Sequence, residues 1–178
     1  MLGMSALVLM VGAVAVANTT GGASPEYAAM QTLEGEWAGS SKVYIAPGMP
    51  PESSGGKISS KMVGDYWLAE HASGQIFGKP FEKFYLVGLD GNAGGVTGSL
   101  ISSGDKVARP LTGFFDSRAN TWTLNHEMLD ASGGVIQAKT TIQVDQRKGT
   151  KSLRTYHVME EGFNTVVLDM QTTIRNGR

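Results

Sequence analysis

The sequence predicts an all-β fold: an antiparallel up-and-down β-barrel of about ten strands, preceded by one short N-terminal helix. Three observations carry that expectation. Apolar or small residues recur at every second position in one segment after another, turn signals separate these segments at intervals of roughly eight to twelve residues, and the strand–helix–strand alternation of a parallel sheet is missing. Composition agrees, since 24 glycines and only 17% charged residues suit short strands joined by turns better than long helices.

The helix is placed by Ser24-Pro25-Glu26, which supplies an N-cap, a proline for the first helical position and an acidic first turn. Ala28, Ala29, Met30 and Leu33 continue at helical spacing, so the helix is expected over about residues 25 to 33, with Gly35 ending it. The period then changes to two. Trp37, Gly39, Ser41, Val43 and Ile45 form one face of a strand, and Glu36, Lys42 and Tyr44 the other. Residues 46–56, APGMPPESSGG, read as a long proline- and glycine-rich loop able to act as a flap. Strand patterns follow over 57–63, 66–76, 82–89, 96–102, 111–116, 121–129, 135–144, 152–157 and 164–174. In 136–145, Ile136, Ala138, Thr140, Ile142 and Val144 oppose Gln137, Lys139, Thr141, Gln143 and Asp145, the alternation of a sheet with one wet face.

At 178 residues the chain suits one globular domain, expected over residues 25–178. Residues 1–17 form an apolar run ending in Ala15-Val16-Ala17, the small-x-small pattern of signal peptidase cleavage, and residues 18–24 then serve as a linker. Export to a periplasmic or extracellular location is the expectation. It lacks one usual feature, because no Lys or Arg precedes the apolar run. That run is too short for a confident membrane span, so none is expected once the signal is removed. Fifteen basic against sixteen acidic residues imply no cationic surface for nucleic acid. Zero cysteines exclude disulfides, thiol nucleophiles, thiolate metal sites and covalent c-type haem.

Three stretches, LEGEWAGSSKVYIAPGMPP, MVGDYWLAEHASGQIFGKPFEKFYLVGLD and GFFDSRANTWTL, resemble the bacterial family of domain of unknown function 1579, with the likeness extending over roughly residues 27 to 175. That family is similar in pattern to the calycins, the lipocalins and fatty-acid-binding proteins, whose barrels open with a helical turn followed by Gly-x-Trp. The resemblance implies a calycin-like barrel in which Gly35 lets the backbone turn closely and Trp37 covers the closed end. One departure is visible: where the family pattern places an acidic residue after an aromatic, in the strand following the Gly-x-Asp turn, this chain reads Gly98-Ser-Leu-Ile-Ser102. No function resting on that carboxylate carries over.

Candidate site residues follow from the same alternation. Trp37 is either a core side chain or the floor of a pocket. His126 shares a face with Trp122, Leu124 and Met128, and His157 shares one with Leu153, Thr155 and Met159, so both histidines are expected to point inward. The face of His71 is not settled by its neighbours. An inward histidine could be a hydrogen-bonded core residue, fix a ligand carboxylate, carry a proton, or hold haem iron through Nε2. Met62, Met128, Met159 and Met170 also fall on inward faces, where thioethers fill a core or line a tolerant pocket. His126 and Glu127 are adjacent on a strand and face opposite sides, and no His-x-x-x-His spacing occurs, so no metal site is expected. Asp90 and Asp116 sit in turn chemistry, and Glu70, though inside a strand pattern, is expected to face solvent. Neither a Gly-x-Ser-x-Gly elbow nor a phosphate-cradling glycine loop is present.

The expected function is the binding of a small apolar or amphipathic ligand inside the barrel, without catalysis or a cofactor. Trp37, Met62, Trp122, His126, Met128, His157, Met159 and Met170 would line the pocket. Three alternatives remain open: a haem or tetrapyrrole barrel with His126 or His157 as axial ligand, an enzyme pairing an inward histidine with Glu70, and a filled barrel acting through its outer face.

Overall fold

Ser24 caps the helix through its Oγ, which accepts from the Tyr27 amide at 3.3 Å, and Pro25 occupies the first turn. Helix α1 spans Pro25–Gln31 and stops short of Leu33. Thr32 closes it, its amide and hydroxyl both donating to the Ala29 carbonyl, at 3.1 and 2.7 Å. Gly35 then adopts φ 136°, a conformation that a side chain rarely tolerates, and swings the chain from helix to strand. The computed structural model describes residues 24–44, 49–76, 78–91, 95–129, 133–158 and, as backbone, 164–174.

Ten strands follow: β1 Gly35–Val43, β2 Glu52–Val63, β3 Trp67–Ile76, β4 Lys79–Leu89, β5 Gly95–Ser102, β6 Arg109–Asp116, β7 Thr121–Leu129, β8 Val135–Asp145, β9 Thr150–Val158 and β10 Asn164–Ile174. Each pairs antiparallel with its neighbour in sequence, and β1 pairs with β10 from Trp37↔Ile174 to Val43↔Leu168, so the sheet closes into a barrel. The expected architecture is the observed one.

One expected loop is a strand. Residues 52–56 were expected to belong to a flap, yet Glu52–Gly56 pair with Val43–Gly39 of β1 in unbroken register. Ser53, Ser54, Gly55 and Gly56 look like loop residues because they lack apolar bulk. In the barrel their backbone hydrogen bonds go to β1, and Gly56 stands in register between Gly39 and Gly74, three strands with no side chain at one level. Of the remaining flap, residues 46–48 lie outside the described residues, as does Ile45 of the expected strand face.

The alternation has a physical outcome. On β7, Trp122, Leu124 and His126 are buried while Asn125 is exposed, and on β8 Ala138, Thr140, Ile142 and Val144 are buried. The turn assignment of Asp116 holds as well: its Oδ1 accepts from the amides of Arg118 and Ala119 at 2.9 and 3.1 Å. The outer face is not uniformly polar, since Phe84, Leu86 and Ile101 on β4 and β5 are exposed. His71 belongs to that outer face, stacked on Phe84 with ring centroids 4.2 Å apart.

Close approach on the inner face is bought by glycine at Gly98, where a Cβ would overlap the Leu86 carbonyl oxygen across the strand pair. The core runs from Met30 and Leu33 of the helix region through Trp37, Ile58, Leu68, Val87, Trp122 and Leu153, so the helix plugs one end of the barrel. No described helix is long and apolar enough to cross a membrane.

Candidate functional site

The interior divides into two halves that the sequence does not separate. In the plugged half Trp37 is 1% exposed, and its Nε1–H donates to the Leu33 carbonyl at 3.0 Å. The indole therefore stops the base of the barrel, as the family resemblance implies. Met30, Leu33, Trp122, Leu124, Ile142 and Leu153 line a void of only about 20 Å³ in this half, room for about one water.

That half contains a buried ion pair. Glu70, expected to face solvent, is 5% exposed, and the fully buried Lys151 ammonium contacts its Oε2. Ser60 Oγ donates to the same Oε2 at 2.7 Å, and the Lys151 ammonium lies 5.6 Å from the Trp37 ring centroid. Tyr85, directly across from Glu70 on β4, is also buried, and burial followed by the Glu70 charge pushes its hydroxyl pKa well above the ordinary range. The correction for Glu70 has a plain cause. It shares the inward parity of Leu68 and Ala72, and a cation reaching across the lumen from β9 compensates its burial.

Above this layer sits His126, 4% exposed. Its Nδ1 is 3.1 Å from the Glu127 carbonyl and its Nε2 is 2.9 Å from Thr140 Oγ1, which in turn is 2.9 Å from Thr155 Oγ1. A carbonyl can only accept, so Nδ1 carries the proton, and the neutral ring's Nε2 accepts from the Thr140 hydroxyl. Burial lowers the His126 pKa, the Glu127 carbonyl opposes that, and the positive field of Lys83 lowers it further.

The sign of the pH effect follows. The unfolded chain takes up the proton first, near its ordinary value of about 6.5, so the stability due to neutral His126 is complete above that pH. It is lost as the pH falls through the lower folded pKa. Replacing His126 with glutamine is expected to flatten the loss of stability between about pH 7 and pH 5, as read by chemical denaturation at each pH. An unchanged slope would contradict the buried neutral ring.

The opposite end is open. A cleft of about 290 Å³ lies at the mouth between the start of β4, the end of β5 with the residues after it, and the end of β7. Ile76, Phe81, Leu100, Met128 and Leu129 make its walls apolar, and Lys83 and Ser102, cross-strand partners, add polar groups. At the rim, Arg109 donates to both Asp105 oxygens, at 2.5 and 3.0 Å, and to Glu127 Oε2 at 3.0 Å. That hydrogen bonding from Arg109 holds the Asp105 carboxyl below its ordinary value.

The expected pocket residues are thus distributed rather than gathered. Trp37 and Trp122 belong to the sealed half, Met62 is half-buried against the core, Met128 lines the open cleft, and His126 lies between. His157 is half-buried, in register with Ala138, one strand removed from His126. Met159 and the side chain of Met170 lie outside the described residues; the Met170 backbone pairs with Ser41 and Leu153. Among the described residues no histidine contacts a carboxylate side chain, so His126 and Glu70 keep separate partners. No group of three potential metal ligands occurs among them either. Lys83, Arg109 and Lys151 were not singled out in the sequence, although each lies on an inward parity, Lys151 on that of Leu153, Thr155 and His157.

Plugged at one end by a helix and an indole and open at the other, this is an antiparallel barrel of calycin-like form. The chain belongs to the family described as protein of unknown function DUF1579, whose model matches residues 23–173. Among solved structures it is similar to the crystal structure of Rv2717c from M. tuberculosis, with a TM-score of 0.64 and 15% sequence identity over 86% of this chain and 99% of that one. At that identity the likeness concerns the fold. The sequence has no match among functionally curated proteins.

Proposed function

We propose that the protein binds a small amphipathic molecule in the open half of its barrel, without turning it over. The observation that carries this reading is the contrast between the two halves: about 20 Å³ of space in the helix-plugged half, and about 290 Å³ at the mouth. Apolar walls reward burial of a hydrocarbon portion, and the few polar groups among them orient the rest. The size of the cleft suits a small ligand or a medium-length chain. Binding rather than catalysis is favoured because His126 spends both ring nitrogens on Thr140 and a backbone carbonyl, leaving no free base there to take a substrate proton.

A thermal-shift series with decanoate, decanol and the methyl ester of decanoate tests the reading. At about a hundredfold excess over Kd, a bound compound is expected to raise Tm by roughly 5–10 °C. Ser102→Trp, which fills the mouth, is expected to remove the shift while leaving the unliganded Tm near the parent value. If no amphiphile shifts Tm, or if the Ser102→Trp protein responds equally, the cleft is not a binding site.

A further inference from the structure

Among the described residues lining the cleft, Lys83 is the half-buried charge whose surroundings do not account for it. It stands on β4 between Phe81 and Tyr85, on the same parity as the buried Tyr85 and Val87, and so projects to the lumen side. Among the described residues its ammonium has neither a hydrogen-bond nor an ion-pair partner. The carboxylates nearest the cleft are already engaged. Asp105 receives two hydrogen bonds from Arg109, and Glu127 receives one from Arg109 and one from Gln137. Its inward parity and its place in the cleft lining put the charge on the lumen side, where burial lowers its pKa. A half-buried ammonium beside Leu100, Phe81 and Met128 loses part of its hydration, a cost that a counter-anion offsets.

Resting on the binding reading above, we infer that the ligand of this cleft is an anionic amphiphile whose carboxylate pairs with Lys83, its apolar portion lying against Phe81, Leu100 and Met128. A carboxylate fits better than a phosphate. Lys79 also lines the cleft but is exposed, so Lys83 is the one half-buried cation without a partner among the described lining residues, and Ser102, paired with it across the strands, offers a single neighbouring hydroxyl rather than the guanidinium cluster that a doubly charged group recruits. Arg109 does not serve because its three donor nitrogens hold the rim carboxylates.

Calorimetric titration of the full chain with decanoate and with decanol separates the two claims. Decanoate is expected to bind about tenfold to a hundredfold more tightly than decanol, the range of a charge-assisted hydrogen bond. Lys83→Met is expected to bring decanoate affinity down to that of decanol, and Lys83→Arg to retain most of the preference. Lys83→Gln, which keeps a polar side chain of similar length, serves as the second neutral variant in case the methionine protein does not fold. Equal affinity of the parent for both compounds, or a preference that survives both neutral variants, overturns the assignment to Lys83 and leaves the binding cleft standing. If neither compound binds, both readings fall.

Discussion

Replacing Lys151 with methionine is expected to destabilise the fold by about 3–5 kcal/mol, because the change strands the Glu70 carboxylate in the sealed half of the barrel. The ammonium has no exposed side-chain surface, contacts Glu70 directly and lies over the Trp37 ring. Water cannot replace it there, since the adjoining void holds about one molecule. Glu70→Leu combined with Lys151→Met is expected to recover most of the loss, since an ion pair exchanged for apolar groups of similar volume often costs little. Urea denaturation of the two single variants and the double variant closes the cycle. Additive losses, with no recovery in the double variant, would mean that the two residues do not act as a pair.

Truncating Trp37 to alanine is expected to cost a similar amount, about 3–5 kcal/mol, through the cavity left at the base of the barrel. The indole contributes in three ways: it packs in the continuous core with Met30 and Leu33, it donates to the Leu33 carbonyl, and it faces the Lys151 ammonium. Trp37→Phe separates these. It keeps most of the bulk and the aromatic face but loses the N–H donor, and the expected cost falls to about 1–3 kcal/mol for the carbonyl left unsatisfied. A Trp37→Ala protein as stable as the parent would mean that the helix, and not the indole, closes this end.

Much of this architecture is legible in the sequence because period-two alternation is a local signal. Trp122, Leu124 and His126 were assignable to the inside from their own spacing, and the cap at Ser24 from three residues. What was missed has a common cause. Glu70 and Lys151 both sit on inward parities, but a charge on a strand argues for solvent unless its partner is known, and here the partner lies across the lumen on strands that are not neighbours. Lys83 presents the same conflict between parity and charge. The start of β2 was illegible for another reason: Ser53 to Gly56 have no side chains that announce a strand, and it is their pairing with β1 that gives their backbone its partners. The division of the interior into a filled half and an open half depends on side-chain volumes summed across many strands, which no single segment encodes.

The closure of β1 on β10 also bears on how the chain assembles. Every other pairing joins strands adjacent in sequence and can form as a hairpin, whereas the Trp37↔Ile174 seam must gather nearly the whole polypeptide and carries the largest loop-closure entropy. Until that seam zips, both flanking strands present bare amide edges to other molecules. Crowding at synthesis, more than any weakness of the finished ring, is then the hazard this topology must survive.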